Sequence, residues 1–158
     1  MPRPLPPSEP LIELADPHQV VITDKTGPDR ANRISLPLGP VLGSIDLARW
    51  AAREACMRWR IRSAADQAET VVSELVTNAI VHAGPPIGLV VALAAPVLHI
   101  AVRDASLRRP RLLTADDRRG YGLLLVDALA DRWGCDPTPD GKVVWAAIRL
   151  DRDDSAGS

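Results

Sequence analysis

The clearest pattern in the chain lies between residues 63 and 83. Ala68, Val71, Val72, Leu75, Val76, Ala79, Ile80 and Ala83 fall at i, i+3 and i+4 spacing, the stripe of a helix with one buried face. Ser63 stands before it as an N-cap, and Gly84-Pro85-Pro86 ends it. A second stripe, Ile45, Ala48, Ala52, Ala55, Cys56 and Trp59, predicts an amphipathic helix over residues 44–61, with Arg49, Arg53 and Arg60 on its other faces.

The remaining apolar runs are short and β-prone. Residues 33–38 place Ile34, Leu36 and Leu38 in alternation, and Pro37 restricts that strand to a sheet edge or its own end. Residues 87–93 and 97–103, separated by Ala94-Ala95-Pro96, predict an antiparallel hairpin. Residues 123–130 form a compact helical run, followed by strands over 133–136 and 142–150 joined through residues 137–141. The order strand, helix, helix, hairpin, loop, helix, hairpin predicts an α+β two-layer sandwich, a mostly antiparallel sheet with helices packed on one face.

Outside this domain, residues 31–150, the pattern fades. Residues 1–30 are Pro-rich and then polar, with one β-prone patch at 19–23, and read as a flexible tail; residues 151–158 read as a second. Residues 107–119 carry Arg108, Arg109, Arg111, Arg118 and Arg119 without core periodicity and read as a long loop, a length that in compact domains usually serves function.

Composition narrows the function classes. A formal charge of −1 offers no general attraction for nucleic acid, and the tryptophans at 50, 59, 133 and 145 are not interleaved with basic residues as a stacking platform would require. No apolar run approaches the roughly 18 residues of a spanning helix, and the proline-broken N-terminus does not resemble a signal peptide, so a cytoplasmic location without membrane contact is expected. Cys56 and Cys135 lack metal-ligand spacing and read as reduced packing residues.

Three groups of residues could carry chemistry. Glu74, Asn78 and His82 lie at i, i+4 and i+8, a polar stripe beside the buried helix face that lines either water or a site. Gly120-Tyr121-Gly122 precedes a helix, where backbone N–H groups can approach an anion at the positive end of the dipole; a plain turn reads the same way. Asp104, past a strand end, is either a turn residue or an acceptor. His82 and His99 lack a nucleophile partner in the pattern and read as structural.

The segments ELVTNAIVHA at 74–83, VRDAS at 102–106, GYGLLLV at 120–126 and GKVVW at 141–145 occur in one order, and together they resemble the GHKL superfamily of Bergerat-fold ATPases. The similarity covers residues 33–150 and is closest to bacterial anti-sigma-factor serine kinases and their small ATP-binding relatives. It implies ATP and Mg²⁺ as cofactors. Glu74 would be the general base, Asn78 the magnesium ligand, Asp104 the acceptor of the adenine amino group, and Gly120, Tyr121, Gly122 and Leu123 the triphosphate-binding turn. It also implies a sigma factor and an antagonist protein as partners, and it allows a homodimer. An ionised Asp104 would attract the N6 donor of adenine and repel the O6 of guanine, so ATP is expected to bind better than GTP.

Two departures qualify the resemblance. The family's adenine box usually places glycine after its Asp, but Asp104-Ala105-Ser106-Leu107 has none. Where many members carry a Thr after the last glycine turn, this chain has Lys142-Val143-Val144. The Arg-rich segment 108–119 occupies the place of the family's nucleotide lid, and a solvated loop reads equally well. An anti-sigma-type kinase is the leading expectation; the alternative is a noncatalytic nucleotide-binding module that alters a protein surface.

Overall fold

A computed structural model of the chain describes residues 21–23, 32–82, 85–107 and 121–151. Most of the two tails, the Arg-rich segment 108–119 and Gly120 lie outside the described residues. Among those described, six strands form one antiparallel sheet: β1 (Val21–Thr23), β2 (Asn32–Leu38), β3 (Ile87–Ala94), β4 (Val97–Asp104), β5 (Arg132–Thr138) and β6 (Gly141–Arg149). Their spatial order is β1-β2-β3-β4-β6-β5. Three helices, α1 (Gly43–Arg58), α2 (Ala65–His82) and α3 (Tyr121–Leu129), pack on one face, as the element order predicts.

The pleat sorts the side chains of the central strands. Leu89, Val91, Leu98, Ile100, Val102, Val144, Ala146 and Ile148 point to the helix layer and join Ala52, Val72, Leu75 and Val76 in the main core. The alternate residues Val90, Ala92, Ala101, Val143, Trp145 and Ala147 form a smaller cluster on the opposite face. Both sets are buried, which explains why strands β3, β4 and β6 read as nearly continuous apolar runs.

Several details differ from the pattern-based reading. The β-prone patch inside the expected N-terminal tail contributes β1, whose three residues pair with Arg33, Ile34 and Ser35 of β2. Pro37 lies beyond that pairing, so its missing N–H interrupts no ladder with β1. Ser63 sits in a 3-10 turn, Arg62–Ala64, and α2 proper begins at Ala65. Helix α3 begins at Tyr121, so Tyr121 and Gly122 belong to its first turn rather than to a preceding loop. Strand β5 runs on through Pro137, which an edge strand tolerates.

The end of α1 is set by a left-handed residue. Arg60 has φ 59°, and the N–H of Ile61 reaches Cys56 O at 2.9 Å while that of Arg60 reaches Met57 O at 3.2 Å. These are the two bonds of a Schellman cap, and Ile61, 2% exposed, supplies its apolar contact. The turn redirects the chain so that α2 packs back along α1, where Arg53 bridges to Asp66 and Glu69 of α2.

Candidate functional site

Helix α2 is the scaffold on which the candidate residues are carried. It packs against α1, α3, β4 and β6, and Gln67 donates a hydrogen bond from its amide to Leu129 O at the end of α3. Its Val71, Val72, Leu75, Val76 and Ala79 are buried, while Glu74 and Asn78 flank that stripe and are half-buried. The third residue of the polar series, His82, is exposed at the last turn. The geometry therefore separates the triple: Glu74 and Asn78 sit at the border of the core and His82 does not.

Burial gives Glu74 an altered chemistry. Desolvation disfavours its charged form and raises its pKa above the ordinary carboxylate value. Among the described residues, neither the Glu74 nor the Asn78 side chain makes a hydrogen bond or ion pair. A half-buried carboxyl and a carboxamide one helical turn apart thus keep their polar atoms available for a ligand.

Asp104 is the last residue of β4 and continues the Leu98, Ile100, Val102 alternation, so it lies on the helix-facing side of the sheet. Its register partner across β4 and β6 is Lys142, which shares that face with Val144, Ala146 and Ile148. Lys142 Nζ donates to Asp104 Oδ1 at 2.8 Å, and the side chains are only 8% and 3% exposed. The same oxygen accepts the Ser106 N–H at 2.8 Å, an Asx-type turn that closes the strand end. The carboxylate expected to meet an adenine amino group is therefore already bonded to a cation of its own chain.

Gly141 makes this close approach possible. A Cβ there would lie 1.9 Å from Asp104 O and 2.9 Å from Ala105 Cα, distances that only a residue without a side chain tolerates. The GK pair of the GKVVW segment thus has two roles, one steric and one electrostatic. The second was not visible in the pattern. Its one signal is an ionisable residue next to the apolar run 143–148, and its partner, 38 positions earlier, emerges only from the strand register.

The remaining site residues divide between described and undescribed. Leu123 is buried in α3, two residues after the helix begins; Tyr121 and Gly122 are placed in the backbone of its first turn, and Gly120 lies outside the described residues. Among the described residues no three His, Cys, Asp or Glu side chains converge on a metal position. His99 is buried on the far face of the sheet, away from the helix layer, and its imidazole is pushed down to about 4, chiefly by desolvation and secondarily by the Arg132 charge. No described helix is long and apolar enough to cross a membrane.

Residues 42–148 match the family described as the histidine kinase-like ATPase domain, a span that takes in Glu74, Asn78, Asp104, Leu123 and Lys142. No curated protein matches the sequence. Among solved structures, the chain is similar to the RsbU and RsbW domains of Rv1364c from Mycobacterium tuberculosis, with a TM-score of 0.56 and 19% identity. That similarity covers 76% of this chain and 33% of the other, so the chain spans about a third of that protein's length. The family match covers both hairpins and all three helices, and the structural likeness supports the same fold: the chain belongs to the histidine kinase-like ATPase domain family.

Proposed function

We propose that the protein is an ATP-binding regulatory protein, an anti-sigma-factor-type serine/threonine kinase that uses Mg-ATP, with a sigma factor and an antagonist protein as its partners. The observation that carries this reading is the pair Glu74 and Asn78, half-buried on α2 with no described partner, in a domain of the ATPase family. The likeness to a structure containing an RsbW domain supports the same choice. Asn78 offers the oxygen that would hold Mg²⁺, an ion that keeps most of its waters and shares phosphate oxygens rather than needing an all-protein cage. When bound, the ion would neutralise charge on the phosphates.

The chain's own residues would then position and deprotonate. Glu74 accepts the proton of a Ser or Thr hydroxyl as that oxygen bonds to the γ-phosphorus; the bond to the bridging oxygen breaks and ADP leaves with the electron pair. The raised pKa of Glu74 brings it nearer to neutral pH, where a base is most effective. The N-terminal turn of α3 would meet the phosphates through backbone N–H groups.

The test is phosphotransfer from Mg-ATP to a candidate antagonist. Glu74→Ala is expected to lower the rate by about 10²- to 10⁴-fold with little change in nucleotide affinity. Transfer at an undiminished rate in that variant would refute the base role. One observation favours a second reading, a noncatalytic nucleotide-binding module: the Asp104 carboxylate is tied to Lys142, which changes the end of the site that would recognise the base. Nucleotide binding by wild type without transfer to any antagonist would select it.

A further inference from the structure

The contact between Asp104 and Lys142 has a consequence for which base the site accepts. Asp104 Oδ1 takes two hydrogen bonds, from Lys142 Nζ and from the Ser106 N–H, each at 2.8 Å, which use its two lone pairs. Among the described residues, the carboxylate keeps its second oxygen as an acceptor, and the Lys142 ammonium keeps two of its three protons as donors. The pair is fixed in place by the strand register, by side chains 3% and 8% exposed, and by the close approach at Gly141. The end of β4 thus presents a donor and an acceptor side by side rather than a bare carboxylate.

Purines differ at this edge. Adenine carries an amino donor at position 6 beside an acceptor at N1; guanine and hypoxanthine carry an oxygen acceptor at position 6 beside an N1–H donor. A lone carboxylate facing position 6 attracts the amino group of the first and repels the oxygen of the second. With an ammonium beside it, either edge can be met: amino group to carboxylate and N1 to ammonium, or O6 to ammonium and N1–H to carboxylate.

We infer that Lys142 is a specificity-determining residue of the nucleotide site, and that its pairing with Asp104 admits 6-oxopurine nucleotides such as GTP and ITP alongside ATP. This rests on the reading that the Asp104 end of the site holds the base. It replaces the ATP preference that Asp104 alone would impose.

The experiment is calorimetric titration of Mg-ATP, Mg-GTP and Mg-ITP into the full chain, as wild type, Lys142→Thr, Lys142→Met and Lys142→Arg, each first shown to be folded by circular dichroism. ITP lacks the 2-amino group, so its ratio to ATP reports position 6 alone. Wild type is expected to bind ATP and ITP within about tenfold of each other. The Thr and Met variants should shift the ratio toward ATP by roughly tenfold to a hundredfold, the value of one charge-assisted hydrogen bond. Lys142→Arg keeps the charge and donors and should keep the wild-type preference. An ATP to ITP ratio that neither neutral variant moves, with ATP still bound, overturns the role of Lys142 and leaves the nucleotide site standing. No binding of any nucleotide by wild type or by the folded variants overturns both.

Discussion

The buried pair at the end of β4 and β6 makes a sharp thermodynamic prediction, independent of any ligand. Replacing Asp104 with Val removes the carboxylate and strands the Lys142 ammonium in a position where only 8% of its side chain meets solvent. Breaking a buried pair in this way costs about 3–5 kcal/mol, and the loss of the acceptor for the Ser106 N–H adds about 1 kcal/mol. In a chain of 158 residues, each kcal/mol moves the midpoint by about 2–4 °C, so Asp104→Val should lower Tm by on the order of 10 °C. Lys142→Met should be destabilising as well, by less, because Asp104 retains the Ser106 N–H. The double variant, with no charge left to strand, should recover most of the loss, since apolar replacements of buried pairs are commonly neutral or better. The assay is urea unfolding of the four proteins without nucleotide, followed by tryptophan fluorescence, with the coupling read from the cycle. Additive single effects, within about 0.5 kcal/mol, would refute the claim that these groups bear on each other.

Other consequences can be checked on the same scale. Burial lowers the folded-state pKa of His99 from 6.5 to about 4, so the unfolded chain binds the additional proton between those values. The His99 contribution to stability should therefore be level above about pH 6.5 and fall as pH drops toward 4, by up to about 3 kcal/mol, a component of the pH dependence that is absent from unfolding curves of His99→Leu measured across that window. Arg60→Gly should stabilise the fold by about 1 kcal/mol, raising Tm by about 2–4 °C in a thermal melt, because glycine adopts φ 59° without the Cβ penalty. Gly141→Ala should destabilise the β4 and β6 pairing by about 2 kcal/mol or more, since its methyl would meet the Asp104 carbonyl at 1.9 Å; faster amide exchange at Asp104 and Val143 would report it.

What the pattern made legible depended on how local the cause was. Helix α2 was readable because seven of the eight apolar residues of the stripe mark its face, the eighth, Ala83, lying outside the described residues, and the hairpin of β3 and β4 because two β-prone runs flank a short break. Strand β1 was not, since three residues carry too little alternation and owe their conformation to pairing with β2. The left-handed Arg60 was hidden for a similar reason: no glycine marks the turn, and the cap is held by the buried Ile61 that follows it. Glu74, Asn78 and Asp104 could be picked out by motif, but the half-burial that raises the pKa of Glu74 required the packed helix layer. Lys142 was legible only as a departure from the Thr that many family members carry. Its bond to Asp104 follows from the sheet register and from the close approach of Asp104 to Gly141, two long-range contacts that the local sequence does not display.

Nucleotide binding through α2 is the centre of the account, and the most direct test is calorimetric titration of Mg-ATP into the purified wild-type chain and Asn78→Ala. Saturable, magnesium-dependent binding to wild type that the substitution weakens by roughly tenfold or more is the predicted result. A folded wild type that takes up no nucleotide, or one whose affinity is the same with and without the Asn78 carboxamide, would contradict it.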